Sequence, residues 1–109
     1  MKRGELWTVS GGADYAGKPR PALIVQNDQF DATGSITICP LTSYEIDADL
    51  FRPTIDPSEA NGLRETSFAM ADKITTVPRE RLGRKIGVVS PATMVAVGRA
   101  VVVFLGLAG

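Results

Sequence analysis

The chain has 109 residues, with twelve Lys and Arg against twelve Asp and Glu, one Cys and no His. This length predicts one domain over residues 1–109 with a modest core. Zero net charge excludes a global basic field for nucleic acid, the lack of His excludes His-based triads, metal sites and proton relays, and a single Cys excludes an intrachain disulfide.

The charges are unevenly distributed along the chain. Residues 1–20 carry four basic and two acidic side chains, residues 21–63 carry one basic and seven acidic, and residues 64–109 carry seven basic and three acidic. If the fold brings the two basic flanks together, a local cationic surface can exist on a neutral protein.

The sequence indicates a soluble cytoplasmic protein with no membrane contact. Its first residues, MKRGELWTV, lack the apolar core of a signal peptide, and its apolar C-terminal stretch is short and interrupted by Gly. Cys39 without a partner fits a reducing compartment. Because Cys39 lies in an apolar run, we expect it in the core and not as a nucleophile.

Seven short segments have the apolar pattern of β-strands. The second is apolar at both parities, as expected for a central strand covered on both faces. The fourth contains Pro53, which confines it to an edge or a bulge. The segments are residues 5–10, 22–26, 35–41, 50–55, 63–70, 73–77 and 85–89.

The stretch GKPRP at residues 17–21 presents two cations just before the second strand. Lys18 and Arg20 each precede a Pro, which favours extended backbone at both positions. In an extended chain, residues i and i+2 point to the same side. The two cations are therefore expected on one side of a stiff segment, either as a functional pair or as the solubilising charges of a rigid surface loop.

One helix is predicted from Ser90, a good N-cap followed by Pro91, to about Leu105. Apolar residues surround most of this helix, which is typical of a buried helix. Since one small sheet cannot cover every side, we infer a subunit interface here. The alternative is a strand at residues 101–104, where β-branched residues are frequent. Short strands followed by one helix predict a mainly β, barrel-like domain.

Several side chains could perform chemistry without a metal. Together they offer guanidinium, ammonium and hydroxyl donors near a carboxylate, which suggests anion handling. Taken singly, each is more often structural. Asp47 and Asp49 lie two residues apart without a calcium-loop pattern, so they indicate a solvated loop. The candidate residues are Arg20, Thr42, Ser43, Ser67, Asp72 and Lys73.

The chain resembles the MazF/PemK/Kid toxins, the mRNA interferases of toxin–antitoxin modules. The resemblance runs nearly from end to end, and its most diagnostic pair is an Arg-Pro that opens one apolar strand and a Pro-Leu-Thr that closes the next. The matching motifs are RGELW at 3–7, GKPRPALIVQN at 17–27, CPLTS at 39–43, NGL at 61–63, MADKITTVPRERLG at 70–83 and the terminal LGL.

This resemblance implies a small SH3-like β-barrel of the CcdB/PemK type, homodimeric, that cuts single-stranded RNA at short sequences without a metal or other cofactor. The family's catalytic arginine and threonine match Arg20 and Thr42, and its acidic residue in the later strand pair matches Asp72. The chain departs from the family at Lys73, where many members carry Gln, and in its shorter loop at residues 10–18.

The expected reaction is attack of the RNA 2′-OH on the adjacent phosphate, which gives a 2′,3′-cyclic phosphate and a 5′-OH. Arg20 would stabilise the developing charge, Thr42 would donate to a non-bridging oxygen, and Asp72 has the conventional pKa of a base. Tyr15 is the candidate for base stacking, whereas Trp7 and Phe30 are expected in the core.

Further residues are expected to contact the RNA. Ser43 and Ser67 can donate hydrogen bonds, and the remaining candidates can hold backbone phosphates, which makes binding salt-dependent. A solvated basic turn is the alternative for the later cations. The phosphate-binding candidates are Lys18, Lys73, Arg79, Arg81, Arg84 and Lys85.

A cognate antitoxin is expected to cover the cationic groove with an acidic, largely disordered tail.

Two other functions stay open beside the nuclease. Because a fold does not determine a function, the protein could instead be a CcdB-like poison of a cellular protein such as gyrase, acting through its terminal helix. A degenerate member that only titrates antitoxin is the third reading.

Overall fold

The computed structural model describes residues 1–11 and 18–107, and in these ranges seven β-strands precede one α-helix. The same ranges contain three 3-10 helices in the connections, at Asp28–Phe30, Ala71–Lys73 and Arg79–Arg81. The strands and the α-helix are β1 (Glu5–Val9), β2 (Arg20–Ile24), β3 (Ser35–Thr42), β4 (Thr54–Ile55), β5 (Ser67–Ala69), β6 (Thr75–Pro78), β7 (Leu82–Val88) and α1 (Pro91–Phe104).

The strands form one antiparallel sheet in the order β4-β5-β3-β2-β1-β7, and β6 also pairs with β3. β3 changes its partner along its length: residues 35–38 pair with β6, whereas Leu41 and Thr42 pair with β5. Register shifts between β1 and β7 add a further irregularity. The sheet therefore curls into a half-barrel. Together with the C-terminal helix, it confirms the predicted mainly β, small-barrel fold.

The core consists of two clusters on the two faces of this sheet. Leu23 belongs to the cluster that α1 covers, whereas Ala22 and Ile24 belong to the cluster on the other face. This two-sided burial explains why β2 is apolar at both parities. Cys39 lies fully buried in the first cluster, and its burial raises the pKa of the thiol to about 12. The prediction of a core cysteine is confirmed.

Helix α1 begins where its capping sequence predicted. The Ser90 hydroxyl accepts a hydrogen bond from the Thr93 N–H at 3.1 Å, and Pro91 occupies the first turn. The helix continues through the β-branched segment to Phe104, so the alternative of a strand there is wrong. Within residues 1–11 and 18–107, no helix is long and apolar enough to cross a bilayer.

Only one face of α1 is covered by the sheet, through Val97 and Ala100. The apolar side chains on the other side are exposed, which is compatible with the subunit interface inferred from the sequence, and that interface stays a prediction. The exposed apolar residues of this helical region are Val95, Val102, Val103, Phe104, Leu105 and Leu107.

Three local predictions differ from the structure. The strand expected at residues 50–55 shortens to Thr54–Ile55, because a turn forms before it in which the Arg52 N–H donates to the Ala48 carbonyl at 2.9 Å. The strand expected at residues 63–70 shortens to Ser67–Ala69. Phe30 is 55% exposed and not in the core, because it ends a 3-10 helix without buried residues.

Gly62 shows how tightly one turn packs beneath the sheet edge. It has a positive φ of 68°, and a Cβ at this position would lie 2.5 Å from the Ile86 carbonyl oxygen. The preceding Asn61 is buried and its side chain accepts from the N–H groups of Ser58 and Leu63, at 3.0 Å each. The NGL motif is therefore a structural turn that needs Gly.

Candidate active site

The ends of two neighbouring strands bring Arg20 and Thr42 together. Arg20 opens β2 and Thr42 closes β3, and these antiparallel strands pair with Ala22 opposite Pro40. Continuing this register by two residues sets Arg20 opposite Thr42. Directly opposite residues of an antiparallel pair point to the same face of the sheet. The proline-flanked arginine and the strand-end threonine therefore share one side of the half-barrel.

A cleft with two lobes surrounds this pair. Arg20, Leu41 and Thr42 line both lobes, so they form the ridge between them. We call the first lobe the Lys73 cavity, which has a volume of about 400 Å³. Besides the shared pair, its polar side chains are those of Lys73, Thr75, Thr76 and Arg81.

The second lobe, here the Ser67 cavity, has a volume of about 310 Å³. It lies on the other side of the ridge, against the turn that Asn61 holds. Ser67 is buried, and its hydroxyl donates to the Glu65 carbonyl at 3.1 Å. The polar side chains of this lobe, besides Arg20 and Thr42, are those of Ser43, Arg64, Glu65, Ser67 and Arg84.

The Thr42 hydroxyl is oriented by its own turn. The Tyr44 N–H donates to Thr42 Oγ1 at 3.1 Å. Because this bond uses a lone pair of the oxygen, the hydroxyl hydrogen is left to donate to an acceptor in the cleft. Within the described part of the chain, no carboxylate lies at ion-pair distance from Arg20. Both groups can therefore be directed at one external anion.

Asp72 lies beside the cleft but is engaged elsewhere. Its two carboxylate oxygens accept from Arg52 Nε at 3.0 Å and from Arg52 Nη2 at 2.9 Å. These bonds hold the pKa of Asp72 below its ordinary value, although burial acts in the opposite direction. Asp72 does not line either lobe, whereas its neighbour Lys73 does. The structure thus presents Asp72 as a paired carboxylate next to the site.

The remaining sequence candidates separate into two groups. Arg81, Ser43 and Ser67 line the cleft. Arg79 does not, because its guanidinium donates to the carbonyls of Thr33 and Asp31 in the β2–β3 connection.

Two further candidates precede β2 in the sequence. Lys18 is exposed two residues before β2 and lines neither lobe. Tyr15 falls outside the residues that the structure describes.

Several cleft residues were not found from the sequence. Thr75 and Thr76 follow Lys73 after one intervening residue, and Arg64 directly follows the NGL motif, so each lay close to a residue already singled out. No local pattern marks them, because their position depends on how β6 and the Asn61 turn meet β3. Among the described residues, no group of three His, Cys, Asp or Glu side chains could hold a metal ion.

The fold is a small half-barrel whose strand ends present cations and hydroxyls in one cleft, an arrangement chemically suited to an anion. The comparison with protein families makes this class specific. Residues 2–105 match the model described as the PemK-like, MazF-like toxin of type II toxin–antitoxin systems. The chain belongs to this family, which confirms the resemblance drawn from the motifs.

Individual relatives agree along the whole chain. It is 48% identical over 109 residues to a probable endoribonuclease MazF of Mycolicibacterium smegmatis, covering 100% of both chains. It is 34% identical over 116 residues to the endoribonuclease MazF9 of Mycobacterium tuberculosis, covering 98% of each. A solved mycobacterial endoribonuclease in complex with its cognate antitoxin has a TM-score of 0.83 at 28% identity, covering 98% of this chain and 96% of that chain.

Proposed function

We propose that this chain is a metal-independent endoribonuclease that cleaves single-stranded RNA at specific short sequences and thereby inhibits translation and growth. The observation that carries the proposal is the shared cleft of Arg20 and Thr42, flanked by Lys73 and Arg81. Two relatives that match along the whole chain are named endoribonucleases, which supports the same activity for this chain.

The proposed reaction is an internal transesterification. The 2′-oxygen forms a bond to the adjacent phosphorus, and the bond from phosphorus to the 5′-oxygen breaks. The 2′-OH loses its proton and the departing 5′-oxygen gains one, so the products are a 2′,3′-cyclic phosphate and a 5′-OH. The phosphorus centre carries more negative charge in the transition state than in the substrate, and this charge is what the cleft has to stabilise.

Arg20 and Thr42 suit that task because both are hydrogen-bond donors on one ridge. The guanidinium can hold two phosphate oxygens at once. The Thr42 hydroxyl, oriented by the Tyr44 N–H, can donate to a non-bridging oxygen. Both donors are set by strand ends, so little reorganisation is needed when the charge develops.

The two lobes suit the chain of nucleotides on either side of the cut. Lys73 and Arg81 in one lobe and Arg84 in the other can hold flanking phosphates, and Ser43 and Ser67 can donate to sugar or base atoms. Lys18 stays a candidate for phosphate contact, and Tyr15, which lies outside the described residues, stays a candidate for base stacking. Arg79, bonded to main-chain carbonyls, suits the fold better than the RNA.

Asp72 enters this proposal with a different role from the one suggested by the family motif. A general base needs an accessible lone pair within reach of the 2′-OH. Both Asp72 oxygens already accept from Arg52. We therefore assign Asp72 an indirect role, through the backbone that carries Lys73.

The proposed partners follow from charge and exposed apolar surface. An acidic antitoxin tail in the cleft would occupy the RNA site, in line with the antitoxin complex solved for a mycobacterial endoribonuclease. The exposed apolar side of α1 supports a homodimer. We also propose that the protein acts in the cytoplasm, since its proposed substrate is mRNA.

The test is to incubate the pure protein with single-stranded RNA in EDTA and map the new ends. We expect cuts at defined sequences with 5′-OH ends, and cleavage about 10²–10³-fold slower with Arg20→Ala. The matched control is Lys2→Gln, which removes an exposed cation outside the cleft. Intact RNA beside retained growth inhibition would contradict the nuclease and favour a CcdB-like poison. Intact RNA without growth inhibition would favour a member that only titrates antitoxin.

A further inference from the structure

The Lys73 cavity depends on a short turn at the split in the sheet. Along β3, the pairing with β6 ends at Ile38 and the pairing with β5 begins at Leu41. The 3-10 helix Ala71–Lys73 connects β5 with β6 at this change of partner. The Met70 N–H donates to the Pro40 carbonyl at 2.9 Å. This bond brings the turn against β3 two residues from Thr42, which is why the Lys73 side chain lines the same cavity.

Few hydrogen bonds within the turn stabilise it. A 3-10 helix of three residues has poor hydrogen-bond geometry, and the residue before it, Met70, makes no side-chain capping bond. One internal bond, from the Lys73 N–H to the Met70 carbonyl at 2.9 Å, closes it. Its position must therefore come from neighbouring segments.

The segment around Arg52 supplies that support from the side away from the cleft. The Ala69 N–H donates to the Pro53 carbonyl at 3.0 Å, and the Ala71 N–H donates to the Phe51 carbonyl at 3.1 Å. Between these two backbone bonds, the Arg52 guanidinium makes its two-pronged pair with Asp72. The pair fixes both the position and the orientation of the turn, because a planar fork accepts only one arrangement of the carboxylate.

This pair is mostly shielded from water, with 11% of the Arg52 side chain and 17% of the Asp72 side chain exposed. Removing one partner would leave the other charge poorly solvated, so the turn would move to rehydrate it. Lys73 follows Asp72 directly in the chain and is exposed, so a shift of the turn also shifts the base of the Lys73 side chain.

We propose that Arg52 is a positioning residue for RNA binding, which acts through Asp72 to hold the Ala71–Lys73 turn so that Lys73 reaches the phosphate next to the one held by Arg20 and Thr42. This inference rests on the proposed ribonuclease function. A prepositioned cation loses less conformational freedom when it binds, which strengthens substrate binding without changing the chemical step. No sequence pattern indicated this role, since Arg52 lies in the acidic middle segment.

The proposal and a base role for Asp72 predict different kinetics. If Arg52 and Asp72 position Lys73, then Arg52→Gln, Asp72→Asn and Lys73→Gln each raise KM by about tenfold and change kcat by less than about twofold. If Asp72 is the general base, Asp72→Asn lowers kcat by about 10²–10⁴-fold, whereas Lys73→Gln does not.

The experiment is steady-state cleavage of a fluorogenic single-stranded RNA that contains the mapped cut sequence. The double variant Arg52→Gln/Lys73→Gln is expected to bind no more weakly than Lys73→Gln alone. Both single variants are expected to reduce the slope of log KM against log salt by about 0.7, the value for one lost phosphate contact on a single strand. Lys2→Gln is the matched control and is expected to leave kcat, KM and slope unchanged.

Three results overturn the proposal. Additive losses in the double variant would mean that Arg52 does not act through Lys73. A collapse of kcat in Asp72→Asn alone would make Asp72 the base. An Arg52→Gln enzyme with wild-type KM would remove the role altogether. If Arg52→Gln fails to fold, Arg52→Lys keeps the charge without the fork, and its double variant with Lys73→Gln is judged in the same way. Failure of the proposed function is distinct, since then the wild type does not cut or Arg20→Ala cuts at the wild-type rate.

Discussion

The charged residues of this neutral protein behave differently in two regions. Around Glu5, which we call the Glu5 cluster, the carboxylate accepts from the Lys2 N–H at 2.9 Å, from Trp7 Nε1 at 2.9 Å and lies 3.1 Å from Lys85 Nζ. The N-terminal amine lies 3.7 Å away. In the cleft, by contrast, Arg20, Lys73 and Arg81 have no ion-pair partner among the described residues.

The difference separates charges that stabilise the fold from charges available to a ligand. Burial alone would raise the pKa of Glu5, but the bonds from Lys2, Trp7 and Lys85 outweigh it and lower that pKa to about 2. The field of the Glu5 cluster is therefore largely compensated within the protein. The charges of the cleft cations are not compensated by an ion pair among the described residues. A chain of zero net charge can therefore still attract a polyanion locally.

Arg20→Ala gives the largest expected effect on the cleft side of this comparison. Because Arg20 is the guanidinium at the ridge of both lobes, its loss should lower the cleavage rate by about 10²–10³-fold, as for other donors that stabilise transition-state charge. Since Arg20 is exposed, the free energy of unfolding should stay within about 0.5 kcal/mol of the wild type. Single-turnover cleavage and urea unfolding measure the two quantities. A variant that is destabilised but fully active would mean that Arg20 stabilises the fold and is not needed for cleavage.

The pair Arg79 and Arg81 tests the comparison within one 3-10 helix. Arg79 donates to two carbonyls of the β2–β3 connection, whereas Arg81 lines the Lys73 cavity. Arg79→Gln should therefore lower the free energy of unfolding by about 2 kcal/mol and leave cleavage per folded molecule unchanged. Arg81→Gln should raise KM about tenfold and leave stability unchanged. Thermal unfolding and cleavage kinetics on both variants decide the point, and equal effects on both measurements would contradict it.

Glu5→Gln sharpens the structural side through its pH dependence. The folded pKa of Glu5, about 2, lies below its ordinary value of 4.5, so the ionised carboxylate stabilises the protein above pH 4.5. That contribution is lost as the pH falls from 4.5 to about 2. Near neutral pH the variant should be less stable than the wild type by about 2 kcal/mol.

The same variant supplies its own check on acidification. Urea unfolding at a series of pH values should show the two proteins converging as Glu5 becomes protonated. A difference that stayed constant down to the acid limit would mean that the ionisation of Glu5 does not stabilise the fold.

Local patterns predicted the strands that carry the candidate site, and the resemblance to the toxin family paired Arg20 with Thr42. Prolines on both sides of Arg20 and the end of the next apolar segment at Thr42 identified two neighbouring strands, and antiparallel pairing of neighbours in the sequence sets those residues opposite each other. The capping sequence at Ser90 likewise fixed the start of α1. Each of these features depends on residues close together in the chain.

The partners of long charged side chains could not be predicted in this way. Arg52 and Asp72 are 20 residues apart, and Arg79 and the Thr33 carbonyl are 46 apart. Which carboxylate or carbonyl such a side chain reaches is decided by the curl of the sheet, since no short motif encodes it. The curl of the sheet also decides whether Phe30 is buried. Phe30 was expected in the core, but its 3-10 helix lies on the outside of the β2–β3 connection.

Lys2→Gln is the smallest expected effect and defines the baseline of the comparison. Lys2 Nζ lies 3.9 Å from Asp31, with 62% and 54% of the two side chains exposed. Exposed pairs of this kind contribute about 0–1 kcal/mol, because water and salt screen them. We expect the free energy of unfolding to change by less than about 0.5 kcal/mol and the rate of RNA cleavage not at all. A loss of cleavage here would mean that the RNA-binding surface extends beyond the cleft to the N-terminal face, and that unpartnered charge alone does not mark the site.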